Sequence, residues 1–152
     1  MIRLNRTTEY GLMALRYMSR KRDCTSAREI ADTYGLPFEI TAKTLLRLKD
    51  LGLIQSTQGA RGGYTLQRSL KEVTLAQFLE MMEGPQFLVS CTAETGAESP
   101  DCEYRPRCEI QHVLGDLNHR ILRFFSGIRL SELTDAPTVA AMRAPAYAEE
   151  PG

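Results

Sequence analysis

The chain of 152 residues has no net charge, no membrane-length apolar run and few of the fingerprints of catalysis. The opening MIRLNRTTEY has no apolar signal core, and no window approaches a bilayer span, so a cytoplasmic protein is expected. No phosphate-binding glycine fingerprint follows a strand and there is no nucleophile elbow. The only histidines, His112 and His119, fall in one helical stretch. A non-enzyme is expected. The absent net charge argues against nucleic acid only until its distribution is read. Residues 1–75 carry 13 Lys and Arg against 7 Asp and Glu, whereas residues 76–152 carry 6 against 12. A basic half suits phosphate contact and counterion release, and an acidic half stays off DNA.

What is present is locally legible. The apolar positions Tyr10, Met13, Leu15 and Tyr17 predict a first helix over about Thr8 to Arg20. Ser26-Ala27-Arg28-Glu29 reads as a capping box opening a second helix, with Ile30, Ala31 and Tyr34 facing inward. Gly35-Leu36-Pro37 stops it, because glycine tolerates a left-handed turn and proline can open the next helix. A third helix follows to about Asp50, with Ile40, Leu45, Leu48 and Leu51 as expected core positions. Helix, short turn, helix is the order of a helix-turn-helix.

Leu53–Thr57 and Gly63–Leu66 read as paired strands joined by a glycine-rich tip that carries Arg61. Glycines let backbone approach a groove wall, and an exposed arginine suits a narrow minor groove. A hairpin directly after a recognition helix is a wing. The expected DNA contacts are Thr41, Lys43, Thr44 and Arg47 on the third helix, Arg61 in the wing, and Arg28 on phosphate. Thr74-Leu75-Ala76-Gln77 is a second capping box, opening a fourth helix that stops at Gly84-Pro85.

Three cysteines follow, Cys91, Cys102 and Cys108, spaced C-x10-C-x5-C. Clustered thiols in a reducing compartment point to a metal site or a redox sensor before structural disulfides. Beyond them, Ile110, Leu114, Leu117, Ile121, Phe124 and Ile128 recur at steps of four and three, the stripe of a helix that packs on a partner helix. The fold class expected is mainly α with a small β-wing, a winged helix-turn-helix domain plus a long C-terminal dimerisation helix. The expected parts are the DNA-binding domain 1–83, a cysteine-bearing loop 84–105, a dimerisation helix 106–133 and a disordered tail 134–152. The expected partners are promoter DNA and a second copy of the chain.

The opening RLNRTTEYGLMAL, the helix-turn-helix of Ser26–Leu53, the wing GARGGYTL and three cysteines before a long helix together resemble the Rrf-two family. These are winged-helix repressors that include the iron–sulfur regulators IscR and NsrR. The resemblance covers about residues 1–133. It implies a homodimer with the third helix in the major groove and the wing in the minor groove. It further implies a 2Fe–2S or 4Fe–4S cluster held by Cys91, Cys102 and Cys108, whose state governs promoter affinity. For the fourth ligand it offers Glu9, matching a carboxylate that some relatives supply from the opposite subunit, or His112. His112 lies four residues after Cys108, one more than the family's histidine pattern, and the gap after Cys91 is longer than usual. The chemistry of the residues is compatible, since thiolates are the preferred cluster ligands and three of them leave one position open. The same residues could instead form a Cys3His zinc site with His112, or a thiol–disulfide switch. A regulator that senses a partner or metabolite without a cluster is a further alternative.

Overall fold

The computed structural model describes residues 3–88 and 107–137. Six helices and one hairpin occur among them. These are α1 (Arg6–Lys21), α2 (Ala27–Tyr34), α3 (Phe38–Asp50), β1 (Ile54–Thr57), β2 (Gly63–Leu66), α4 (Leu75–Glu83), α5 (Gln111–Gly127) and α6 (Leu130–Thr134).

Local chemistry sets most boundaries. Asn5 caps α1 by accepting from the Thr8 N–H at 2.8 Å. Thr74 and Gln77 form the expected reciprocal box at the start of α4. The box at α2 is only half as expected. Ser26 Oγ accepts from the Glu29 N–H, but the Glu29 carboxylate turns away to Tyr17 and Lys21, tying α2 to α1. Gly35 ends α2 at φ +64, where the Leu36 N–H returns to the Ala31 carbonyl.

One core joins nearly all of these elements. Leu15 and Met18 of α1, Ile30 of α2, Leu45 and Leu48 of α3, and Phe78, Leu79 and Met82 of α4 are all buried in it. On α1 the buried line is Gly11, Ala14, Leu15 and Met18, while Tyr10, Met13 and Tyr17 sit half-buried at its edges. At Gly11, α1 faces α4: a Cβ there would sit in ordinary van der Waals contact with Met82 and Phe78 at 3.4 Å.

The C-terminal part departs from expectation. The region expected to hold the dimerisation helix, 106–133, contains α5 along the apolar stripe and then, after a break at Ile128–Arg129, a second helix. The second, α6, returns to the N-terminal core. Leu130 is fully buried there, its N–H donates to the Val73 carbonyl, and Ser131 N–H donates to Leu70. Arg16 of α1 donates to the Leu133 and Thr134 carbonyls at the end of α6. Thr134, expected in a tail, is buried. Residues 138–152 lie outside the described residues.

Candidate nucleic-acid interface and cysteine site

The wing is held from both sides. β1 and β2 pair antiparallel with Ile54 opposite Leu66 and Thr57 opposite Gly63. Thr25, just before α2, exchanges both backbone hydrogen bonds with Tyr64 at 2.9 and 2.8 Å, acting as a third edge. Only glycine fits at position 63, because a Cβ there would lie 2.7 Å from the Thr25 carbonyl oxygen and 2.9 Å from Cys24 Sγ. Cys24 itself contacts the Thr57 hydroxyl at 3.0 Å and forms part of this joint. The wing is therefore locked to the start of α2, and Arg61 stands exposed at its tip.

On α3 the structure corrects the sequence reading. Thr41 and Thr44 are buried, and their hydroxyls donate backwards to the Pro37 and Ile40 carbonyls at 2.9 and 2.8 Å. Neither can reach a base. Ile40, expected in the core, is 41% exposed, and Leu46 is 50% exposed. The outward face of α3 carries Glu39, Ile40, Lys43, Leu46 and Arg47. Lys43 projects freely enough to contact DNA. Arg47 is committed elsewhere, since its guanidinium donates to the Met81 and Met82 carbonyls at 3.1 and 3.3 Å. That contact satisfies the open C-terminal end of α4 and complements its dipole. Arg28 lies exposed in the first turn of α2 with its guanidinium 4.1 Å from the Phe38 ring centre, which fixes the junction of α2 and α3.

Of the candidate ligands, Cys91 and Cys102 lie outside the described residues. Cys108 is a free thiol, half-buried, three residues before α5. His112 is exposed in the first turn of α5, and Glu9 is exposed in the first turn of α1. Among the described residues no three candidate metal ligands converge. The turn that carries Glu9 is tied to the end of α4, because the Asn5 N–H donates to Glu83 Oε1 at 2.9 Å. The end of α4 thus bonds at once to α1 and to α3.

Helix α5 presents an unusual face. Its one buried residue is Asn118, whose Oδ1 accepts from the Leu88 N–H at 3.0 Å. Val113 and Phe124 are 65% and 67% exposed, and Ile110 and Leu117 are exposed as well. Sequence reasoning missed Asn118, since an asparagine inside an apolar stripe gives no sign of a backbone partner 30 residues earlier. It also missed Leu130 and the capping role of Arg47.

A helix-turn-helix followed by a wing pinned to it defines a winged-helix DNA-binding fold. The chain matches the model of the Rrf2 family, described as an iron-dependent transcriptional regulator, over residues 4–136. It belongs to that family, whose members are DNA-binding transcriptional regulators and not enzymes. The chain is similar to the HTH-type transcriptional repressor NsrR of Streptomyces coelicolor, at 26% identity over 140 residues, covering 90% of this chain and 91% of that one. Among solved structures it is similar to CymR, the global cysteine regulator of B. subtilis. That likeness has a TM-score of 0.69 and 22% identity, over 90% of this chain and 99% of the other. T. potens IscR gives a TM-score of 0.65 and 23% identity, over 96% and 95% of the two chains. These structural likenesses bear on the fold. No described helix is long and apolar enough to cross a membrane.

Proposed function

We propose that this regulator is a cytoplasmic, homodimeric repressor that binds promoter operators and holds an iron–sulfur cluster on Cys91, Cys102 and Cys108. In this reading the N-terminal core with α6 binds DNA, the cysteine loop between α4 and α5 senses, and α5 dimerises. Dimerisation is supported by α5 itself, which buries one polar residue and leaves Val113, Leu117 and Phe124 exposed while Leu114, Ile121 and Ile128 are half-buried. Lys43 and Arg61 contact DNA and Arg28 a phosphate.

One observation carries the sensing half. The end of α4, from which the cysteine loop departs, is hydrogen-bonded to the cap of α1 through Glu83 and Asn5, and to α3 through Arg47. Bound there, the cluster would supply a centre that oxygen, nitric oxide or iron shortage can alter. A change in the loop then reaches α3 through Arg47 and the first turn of α1 through Glu83. Glu9, exposed on that turn, is the fourth ligand we favour over His112, because it would connect the site to the DNA-binding core a second time.

Anaerobic purification with an absorption spectrum and iron, sulfide and zinc analysis tests this reading. Matching iron and sulfide with visible charge-transfer bands, lost in Cys102→Ala, is the expected result. Glu9→Ala should alter the bands and His112→Ala leave them. A colourless protein after reconstitution, or one that carries zinc, would sink the cluster and leave the winged helix with a structural metal or a thiol switch.

A further inference from the structure

The outward face of α3 points to a mode of base recognition that its polar residues do not supply: we infer that Ile40 reads the C5-methyl group of a thymine in the operator's major groove. The inference rests on the DNA interface described above and gives it a chemical specificity. Both threonines of α3 are turned into the protein with their hydroxyls spent on the helix backbone. What α3 offers outward instead is a lysine flanked by branched aliphatic side chains, Ile40 before it and Leu46 after it.

Position separates the two. The N-terminal residues of a recognition helix are the ones that reach base edges. Ile40 is the third residue of α3, one turn before Lys43, whereas Leu46 lies almost two turns farther along. The major groove offers an aliphatic side chain one apolar partner, the thymine methyl. Lys43 on the same face can donate to a guanine or to phosphate. The exposed carboxylate of Glu39 would be repelled by phosphate and matched by a cytosine amino group, so it too favours base edges over backbone. Arg28 and Phe38 pack together at the start of this helix, and Ile40 stays exposed beside them.

Replacing thymine by deoxyuridine removes the methyl group and nothing else, so the test leaves protein folding untouched. Duplexes are first selected from a random library with the full, anaerobically purified chain, and their thymines are then exchanged one at a time. At one position per half-site, uracil should weaken wild-type binding about fourfold at fixed salt, the value of one methyl group removed from water. The same exchange should cost Ile40→Ala nothing. Uracil tolerated at every position, or a uracil penalty unchanged in Ile40→Ala, would overturn the inference. So would Ile40→Ala turning a dimer into a monomer in sedimentation with the penalty intact, since Ile40 would then be a subunit contact. A library that yields no enriched duplex would overturn the DNA interface itself, and this inference with it.

Discussion

Helices α3 and α5 both expose large aliphatic or aromatic side chains, yet they are built oppositely underneath. α3 buries Thr41, Thr44, Leu45 and Leu48 and packs against α1 and α2, so its exposed residues ride on a rigid support. α5 fully buries Asn118 alone and rests on its own chain through half-buried residues such as Phe125. Most helical stability in proteins comes from a buried apolar face, and the 17 residues of α5 bury none of their apolar side chains fully. The comparison teaches that exposed apolar residues mean different things on different foundations. On α3 they stand on a buried support, and on α5 they are the surface through which the proposed dimer would form.

The contrast can be broken most severely from inside the core. Leu130→Ala removes the residue with which α6 closes that core, and should cost about 2–5 kcal/mol in denaturant unfolding. A loss below about 1 kcal/mol would show that α6 is only lightly docked. Phe124→Asp sits on the other foundation. It should leave the core's unfolding nearly unchanged while weakening dimerisation by about 2–4 kcal/mol, read as a shift to monomer in sedimentation. Equal dimer strength in the variant would mean that α5 packs some other way.

The reasons some of this was legible and some not are physical. Ser26, Thr74, Gly35 and Gly84 act on backbone groups within four residues, so element boundaries could be read nearly to the residue. The phase of α3 could not. Thr41 and Thr44 look like surface residues, and Ile40 looks like core, until the packing against α1 and α2 fixes which side faces in. Arg47, Asn118 and Leu130 depend on partners 30 or more residues away, which no local pattern encodes. The elements of the winged helix were therefore legible, and the direction of several α3 side chains was not. The two cysteines outside the described residues stand as the sequence reading left them.

Smaller perturbations sharpen the comparison at the wing and at α2. Gly63→Ala forces a Cβ to 2.7 Å from the Thr25 carbonyl oxygen, a contact real side chains do not make. It should destabilise the fold by about 1–3 kcal/mol and lower operator affinity by displacing Arg61. Unchanged affinity would free the wing from the mechanism. The Glu29 contacts give the smallest effect. Its carboxyl is held below the ordinary value of 4.5 by the hydrogen bond from Lys21 first and that from Tyr17 second. A carboxyl depressed in the folded state stabilises at pH above its unfolded value, and the contribution fades as pH falls through the folded value. Glu29→Gln should therefore lower Tm by about 1–3 °C at neutral pH, given that Glu29 and Lys21 are each about a third exposed. The gap should close below pH 4.5. A gap that widens in acid would reverse the assignment.

The return of α6 also has a consequence for how the protein is made. Leu130 completes a core whose other members lie between Ala14 and Met82. During synthesis the chain must pass through the cysteine loop and all of α5 before that last piece emerges, a delay of several seconds at about 5–20 residues per second. Cys91, Cys102 and Cys108 thus precede, on the nascent chain, the residue that completes the core. The whole cysteine-bearing segment is therefore synthesised while the core still lacks its last buried member.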